Sequence, residues 1–355
     1  MSLRPLLAAS LVMSAFASSS FCAAAASSSG GSALPPKVTS HTAPYALIGT
    51  IERLDPALDA LIAPGATFET LAEGFTWSEG PVWSGGAKDG YLLFSDVPEN
   101  RIYRWDPRTG LSVFHSASGF SGTAYDGRER GSNGLTLDPQ GRLVACQHGD
   151  RRIARLDADG KSFTGLAERY DGKRFNSPND LCFDKQGNLF FTDPPYGLAP
   201  SSTREIEYHG VYRVTPDGRV TLLTKDLERP NGVALSPDQK TLYVANSHRP
   251  RPVIMAYSLR ADGTLGEGRV LFDAKALSSD TTRKGLPDGL KVDVKGNLWA
   301  TGPGGVLILS PQGKHLGTLL TGRATANCAW GDDGKTLYMT AHTLLLRVRT
   351  QVKGL

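Results

Sequence analysis

Six polar side chains recur at one position of a repeating pattern: Glu79, Asn133, Asn179, Asn231, Asp288 and Asn327, spaced 39 to 57 residues apart. Each stands immediately before a short apolar run, where a strand would begin. If the six starting points converge, two carboxylates and four amides share one buried spot, which is costly unless they satisfy one another, water or an ion. Oxygen-only donors with two negative charges suit a hard divalent cation, Ca2+ ahead of Mg2+ or Mn2+, whereas Zn2+ ordinarily draws His or Cys. A ring of such donors leaves coordination positions open, as a catalytic cation requires. The competing account is turn chemistry, because Asn-Gly and Asp-Gly before a strand are common turn residues. It covers Asn133 and Asn327 well. It covers Glu79 poorly, since Glu is not a turn former.

The elements that must position these groups are repeats. The units begin EGPVWSGGAKDGYLLFSD, NGLTLDPQGRLVACQHG, NDLCFDKQGNLFFTDPP, NGVALSPDQKTLYVANS, DGLKVDVKGNLWATGPG and NCAWGDDGKTLYMTAH. Each reads as a polar residue, an apolar strand, Asp or Ser five positions on, a turn with Gly or Lys, and a second strand, which is a β-hairpin. Further strands follow, as in NRIYRWDP and GVYRVTPDG, with no helical periodicity between units. The pattern predicts an all-β, six-bladed β-propeller over residues 46–355 as one domain. The last unit is one strand short, so residues 46–54 or 66–72 would complete its blade and remove the open edge. In a blade the first strand is innermost and the second returns to the face where it began. The loops carrying Asp96, His148, Asp193, Asn246, His248 and His342 therefore share the face of the polar ring.

Composition narrows the partners. Across 355 residues, 39 Lys and Arg face 35 Asp and Glu without a basic run, which argues against nucleic acid or an anionic membrane surface as partner. Residues 1–25 read as a cleavable export signal, with an apolar stretch from Leu6 to about Ala17 and a cut near Ala25. No segment approaches the roughly 20 apolar residues of a membrane span. The expected place is the periplasm or the medium. Residues 26–45, rich in Ser, Gly and Pro, read as a flexible lead-in. Removal of Cys22 with the signal leaves Cys146, Cys182 and Cys328 in apolar runs, where they read as buried thiols and not as a disulfide framework.

Taken together, EGPVW, SNGLTLDPQGRLVACQHGDRRI, SPNDLCFD, RPNGVALSPD, LPDGLKVD and NCAWGDDGKTLYMT resemble the gluconolactonase and regucalcin family over about residues 70–350. The resemblance implies a divalent metal held by Glu79, Asn231 and Asp288, with Asn179 at metal or substrate, and Asp288 as general base. Animal members carry an Arg two residues before the third-blade Asn. This chain has Ser177 there, and Arg174 nearby lies in another register.

The expected activity is metal-dependent hydrolysis of a sugar lactone such as glucono-1,5-lactone to the aldonic acid. Asp288 and Glu79 are the catalytic candidates; Glu79, Asn179, Asn231 and Asp288 the metal ligands; Asn179, Asn133, His148 and His248 the substrate contacts. GxSxG is absent, and no Ser sits in a strand-to-helix elbow. Two other readings stand beside this one: a metal-dependent esterase or phosphotriesterase on the same fold, and a propeller that binds a sugar or a protein without turnover.

Overall fold

The computed structural model describes residues 34–198 and 204–355, and the segment read as an export signal lies outside them. Six antiparallel sheets follow one another along the chain as the blades of a propeller. Blade one comprises Ser78–Ser84, Tyr91–Asp96, Arg101–Asp106 and Gly110–Ser116. Blade two runs from Ser132–Leu137 to Phe163–Ala167, blade three from Leu181–Phe183 to Val220–Thr224, and blade four from Pro230–Leu235 to Leu265–Asp273. Blade five begins at Leu290–Val292 and blade six at Asn327–Gly331.

The recurrent Asp of each unit explains why its first hairpin turns where it does. Asp138 Oδ1 accepts from the backbone N–H of Gln140 and Arg142, Asp184 Oδ1 from Gln186 and Asn188, and Asp293 Oδ1 from Lys295 and Asn297. A carboxylate that takes up both turn donors fixes the reversal and the register of the strands on either side.

The ring closes through the N-terminal part of the chain. Phe68–Glu73 pairs with Leu344–Arg349 and becomes the fourth strand of blade six. Of the two segments expected to serve, residues 66–72 mark this strand. Residues 46–54 divide: Leu47–Ile48 pairs with Phe68–Glu73, whereas Thr50–Arg53 joins blade five as a fifth strand beside His315–Leu320. The described part of the 26–45 lead-in is likewise seated. Thr39–Ser40 pairs with Ala72 and Glu73, and Leu34, Val38 and Tyr45 pack on the core between blades six and one. The apolar residues among the Ser and Pro account for it, because they cover ring faces that would otherwise meet water.

Large side chains fill the spaces between blades. Trp299, Cys328, Leu337 and Met339 join blades five and six, and in blade three Phe191 stacks on Tyr212 while Phe175 meets both edge-on. Cys146 and Cys328 are buried free thiols and Cys182 is half-buried. No helix among the described residues is long and apolar enough to cross a membrane.

Candidate active site at the propeller hub

The six starting residues do converge on the hub. Hydroxyls of second strands latch the start of the next blade: Ser95 Oγ donates to the Asn133 carbonyl, Thr192 Oγ1 to that of Asn231, and Thr301 Oγ1 to that of Ala326. The second residue of most units is Gly for a steric reason. A methyl group on Gly134 would lie 2.6 Å from the Asn179 carbonyl oxygen, and one on Gly289 would lie 2.0 Å from the Asn327 amide carbon. Register shifts between Glu79 and Val82 and between Pro230 and Val233 break the ladder at two of the starting residues. Such bulges re-aim a side chain, here at the hub.

Glu79, Asn133, Asn179, Asn231 and Asp288 line one cavity of about 300 Å3, together with Trp77, Glu129, Tyr196, Ser247, Arg249, Leu286 and Thr325 among others. Glu79 Oε2 accepts from the Gly80 N–H at 2.6 Å. Asn179 Nδ2 donates to Asn231 Oδ1 at 2.6 Å, and Asn231 Nδ2 donates to Ser247 Oγ at 3.0 Å. An amide oxygen has two lone pairs, so Asn231 Oδ1 keeps one free. Asn133 Oδ1 and Asp288 Oδ1 are buried and accept no hydrogen bond from the described residues.

Burial, followed by the charge of Asp180, raises the Glu79 carboxyl above the ordinary range. Asp288 is raised well above it by burial, then by Glu79, Asp180 and Glu129. Acids crowded in this way resist ionising together unless a cation joins them. Two mutually repelling carboxylates, one of them with an orphaned oxygen, beside the orphaned Asn133 Oδ1 therefore fit a hard divalent ion, and the Asn179 and Asn231 oxygens extend that donor set. Among the described residues no three His, Cys, Asp or Glu side chains form a metal cluster by themselves, so any such ion depends on the amides.

Other expected contacts are placed elsewhere. Asn327 does not line the cavity; its side chain lowers the Glu79 carboxyl through a hydrogen bond, its amide reaches toward Asp180 Oδ2 at 3.4 Å, and its Oδ1 accepts from Lys291 Nζ at 3.2 Å. His148 is fully buried behind the cavity wall, with Nδ1 3.5 Å from Glu129 Oε2. His248 sits at the end of its strand beside Glu228 at 3.8 Å and does not line the cavity. Ser177 is buried and donates to the Pro194 carbonyl, and Arg174 offers its backbone N–H to Glu205.

Three residues on the ring face turn away from the pocket. Asp96 accepts from the N–H groups of Thr76 and Trp77, Asp193 from that of Asn176, and Asn246 from that of Arg229. They clamp the chain as it enters each inner strand. Sequence reasoning missed Asp180, Lys291, Glu129, Tyr196 and Ser247. Asp180 had a readable signal, because it replaces the Gly found at the second position of four of the six units.

Residues 77–343 match the family described as the SMP-30/gluconolactonase/LRE-like region. The chain is 42% identical over 315 residues to a gluconolactonase of Zymomonas mobilis, an alignment covering 86% of this chain and 88% of that one. The solved gluconolactonase XC5397 of Xanthomonas campestris superposes with a TM-score of 0.74 at 34% identity, over 86% of this chain and 98% of that one. A calcium-binding regucalcin of Agrobacterium tumefaciens shares the fold at 21% identity and a TM-score of 0.61, covering 79% and 92% of the two chains.

Proposed function

The chain belongs to the SMP-30/gluconolactonase/LRE-like family, and from that premise we propose that it is a lactonase opening the ring ester of a sugar lactone such as glucono-1,5-lactone. One observation carries the reading: Glu79, Asp288 and three amides meet at one small open cavity in which two acceptor oxygens lack partners. Glu79, Asn179, Asn231 and Asp288 would hold a divalent cation, with Ca2+ first among the candidates because every donor is oxygen. Such a cation, when bound, supplies Lewis acidity that polarises an ester carbonyl and offsets the charge developing on its oxygen.

The chain's own groups supply the remaining steps. A cavity of about 300 Å3 stands at the small end of ligand sites and suits a single sugar ring. Asn133 Oδ1 is free to accept from a ring hydroxyl. Asp288 takes a proton from the attacking water as its oxygen joins the carbonyl carbon. When the carbon to ring-oxygen bond breaks, the proton passes to that oxygen, which leaves the hydroxy acid. Trp77 and Leu286 on the wall limit how much other water enters.

A pH-stat assay on glucono-1,5-lactone, run with Ca2+, Mn2+, Zn2+ or EDTA, tests the proposal. Turnover that depends on a divalent ion and vanishes in Asp288→Ala supports it. Full activity in chelator refutes the metal-based route. We further propose export to the periplasm or medium, which the apolar stretch after Leu6 supports and N-terminal sequencing of the mature protein near Ala25 tests.

A further inference from the structure

The wall of the cavity carries a third carboxylate that belongs neither to the polar ring nor to the turn clamps. Glu129 lies in the long connection between Gly110–Ser116 and Ser132–Leu137, and it lines the cavity with Glu79 and Asp288. Its side chain is 29% exposed, so it meets the space a ligand would fill. Two contacts hold its segment. Tyr125 Oη, with one proton to donate, lies against the backbone carbonyls of both Glu129 and Gly197, tying the loop to the wall next to Tyr196. His148 has 0% exposure and stands behind Glu129, with Nδ1 3.5 Å from Oε2. Neither ring nitrogen of His148 has a hydrogen-bond partner among the described residues. Among the described residues Glu129 is the carboxylate beside this buried imidazole, packed against it without a hydrogen bond, and the ring's bulk limits the rotamers that carboxylate can adopt.

We infer that Glu129 is the specificity-determining residue of the cavity, accepting two hydrogen bonds from neighbouring ring hydroxyls, and that His148 positions it. This rests on the lactonase reading and names its substrate class: an uncharged, polyhydroxylated lactone ring. An ionised carboxylate accepts and cannot donate, and its two oxygens match a pair of adjacent O–H groups. It also repels a sulfonate, phosphate or carboxylate on the ring. Arg249 on the same wall is the natural counter-candidate, since a guanidinium would select an anionic lactone. Arg249 is exposed, and ordering so long a side chain around a ligand loses more rotamer entropy than ordering the half-buried Glu129. With Glu79 and Asp288 offset by the cation they would hold, Glu129 is the carboxylate on this wall left to oppose an anionic ligand.

The test compares glucono-1,5-lactone, δ-valerolactone and 6-phosphoglucono-1,5-lactone in the wild type, Glu129→Gln, Glu129→Ala and His148→Phe, alongside calorimetric binding of 1,5-anhydroglucitol, a ring with the hydroxyls but no ester. The ratio of kcat/KM for gluconolactone over valerolactone should fall roughly ten- to a hundredfold in both Glu129 variants, mainly through KM. Binding of anhydroglucitol should weaken by a similar factor. His148→Phe should shift the same ratio in the same direction, and His148→Asn should restore part of it. Circular dichroism separates these effects from unfolding, and a Glu129 variant on the exposed loop keeps the test open if a His148 variant fails to fold. A wild-type preference for the phosphorylated lactone, or an unchanged ratio in Glu129→Gln, overturns the assignment. Absence of turnover on every lactone with intact, Glu129-dependent anhydroglucitol binding would defeat the lactonase reading and leave Glu129 as the ring-binding group.

Discussion

Replacing Asp193 by Asn separates a clamp from a pocket residue. Asp193 is fully buried, its Oδ2 takes the Asn176 N–H at 2.8 Å, and its Oδ1 has no partner among the described residues. Burial is the largest influence on its carboxyl, which is pushed from an ordinary 3.8 up to about 7. The folded protein therefore holds a proton that the unfolded chain has already released between about pH 4 and pH 7. Over that window the stability contributed by this group is lost as pH rises, and about three units correspond to about 4 kcal/mol at the most. Asn cannot ionise and so carries no such slope. It is also sterically credible, since Asn246 holds the equivalent post in blade four, with Oδ1 accepting from Arg229 and Nδ2 donating to the Arg251 carbonyl. Arg151 pulls the Asp193 carboxyl down, and losing that attraction keeps the gain below the ceiling. Urea unfolding followed by Trp fluorescence at pH 4.5, 6 and 8 should show the variant gaining on the wild type as pH rises, by about 1–4 kcal/mol at pH 8. Its kcat/KM on lactone should stay within about threefold, below 1 kcal/mol. A stability gap that does not change with pH, or a large loss of turnover, would refute the reasoning.

Other expectations concern the hub and the closure. Glu79→Gln should lower lactone turnover roughly a hundredfold or more and weaken divalent-ion binding measured by calorimetry, because one of two anionic donors becomes neutral. Gly289→Ala should lower stability by about 1–3 kcal/mol, since the new methyl meets an Asn327 amide already fixed by Lys291 and the Cys328 N–H. The thermal midpoint checks it. Removing the chain through Glu73 should leave Leu344–Arg349 as an open edge and yield oligomers in size-exclusion chromatography.

The blades were legible because the pattern from polar start to Asp turn repeats, and each repeat has a local cause in the turn that Asp138, Asp184 and Asp293 make. The convergence of Glu79, Asn179, Asn231 and Asp288 followed from placing those starts at an axis. What the sequence hid was direction. Asp96, Asp193 and Asn246 lie on the expected face, but each points at backbone N–H groups one turn away, a choice that period-two patterning does not encode. His148 lies on that face too, yet stops behind Glu129. Glu129 itself sits in a connection without periodicity, so only the folded chain brings it to the cavity. The partner of residues 46–54 was equally hidden, because an apolar strand segment suits blade five as well as blade six and the pairing is decided some 270 residues away.

The seam of the propeller has an unusual mechanical property. Phe68–Glu73 belongs to blade six while Thr50–Arg53, less than twenty residues earlier, belongs to blade five, so one short stretch of chain straps two neighbouring blades. Pulling the ring apart at its only covalent gap requires stripping both straps as well as the contacts between blades. Local fraying at that gap is thereby coupled to the loss of a second sheet edge. The place where the circular array is closed by hydrogen bonds is thus tied to two blades instead of one.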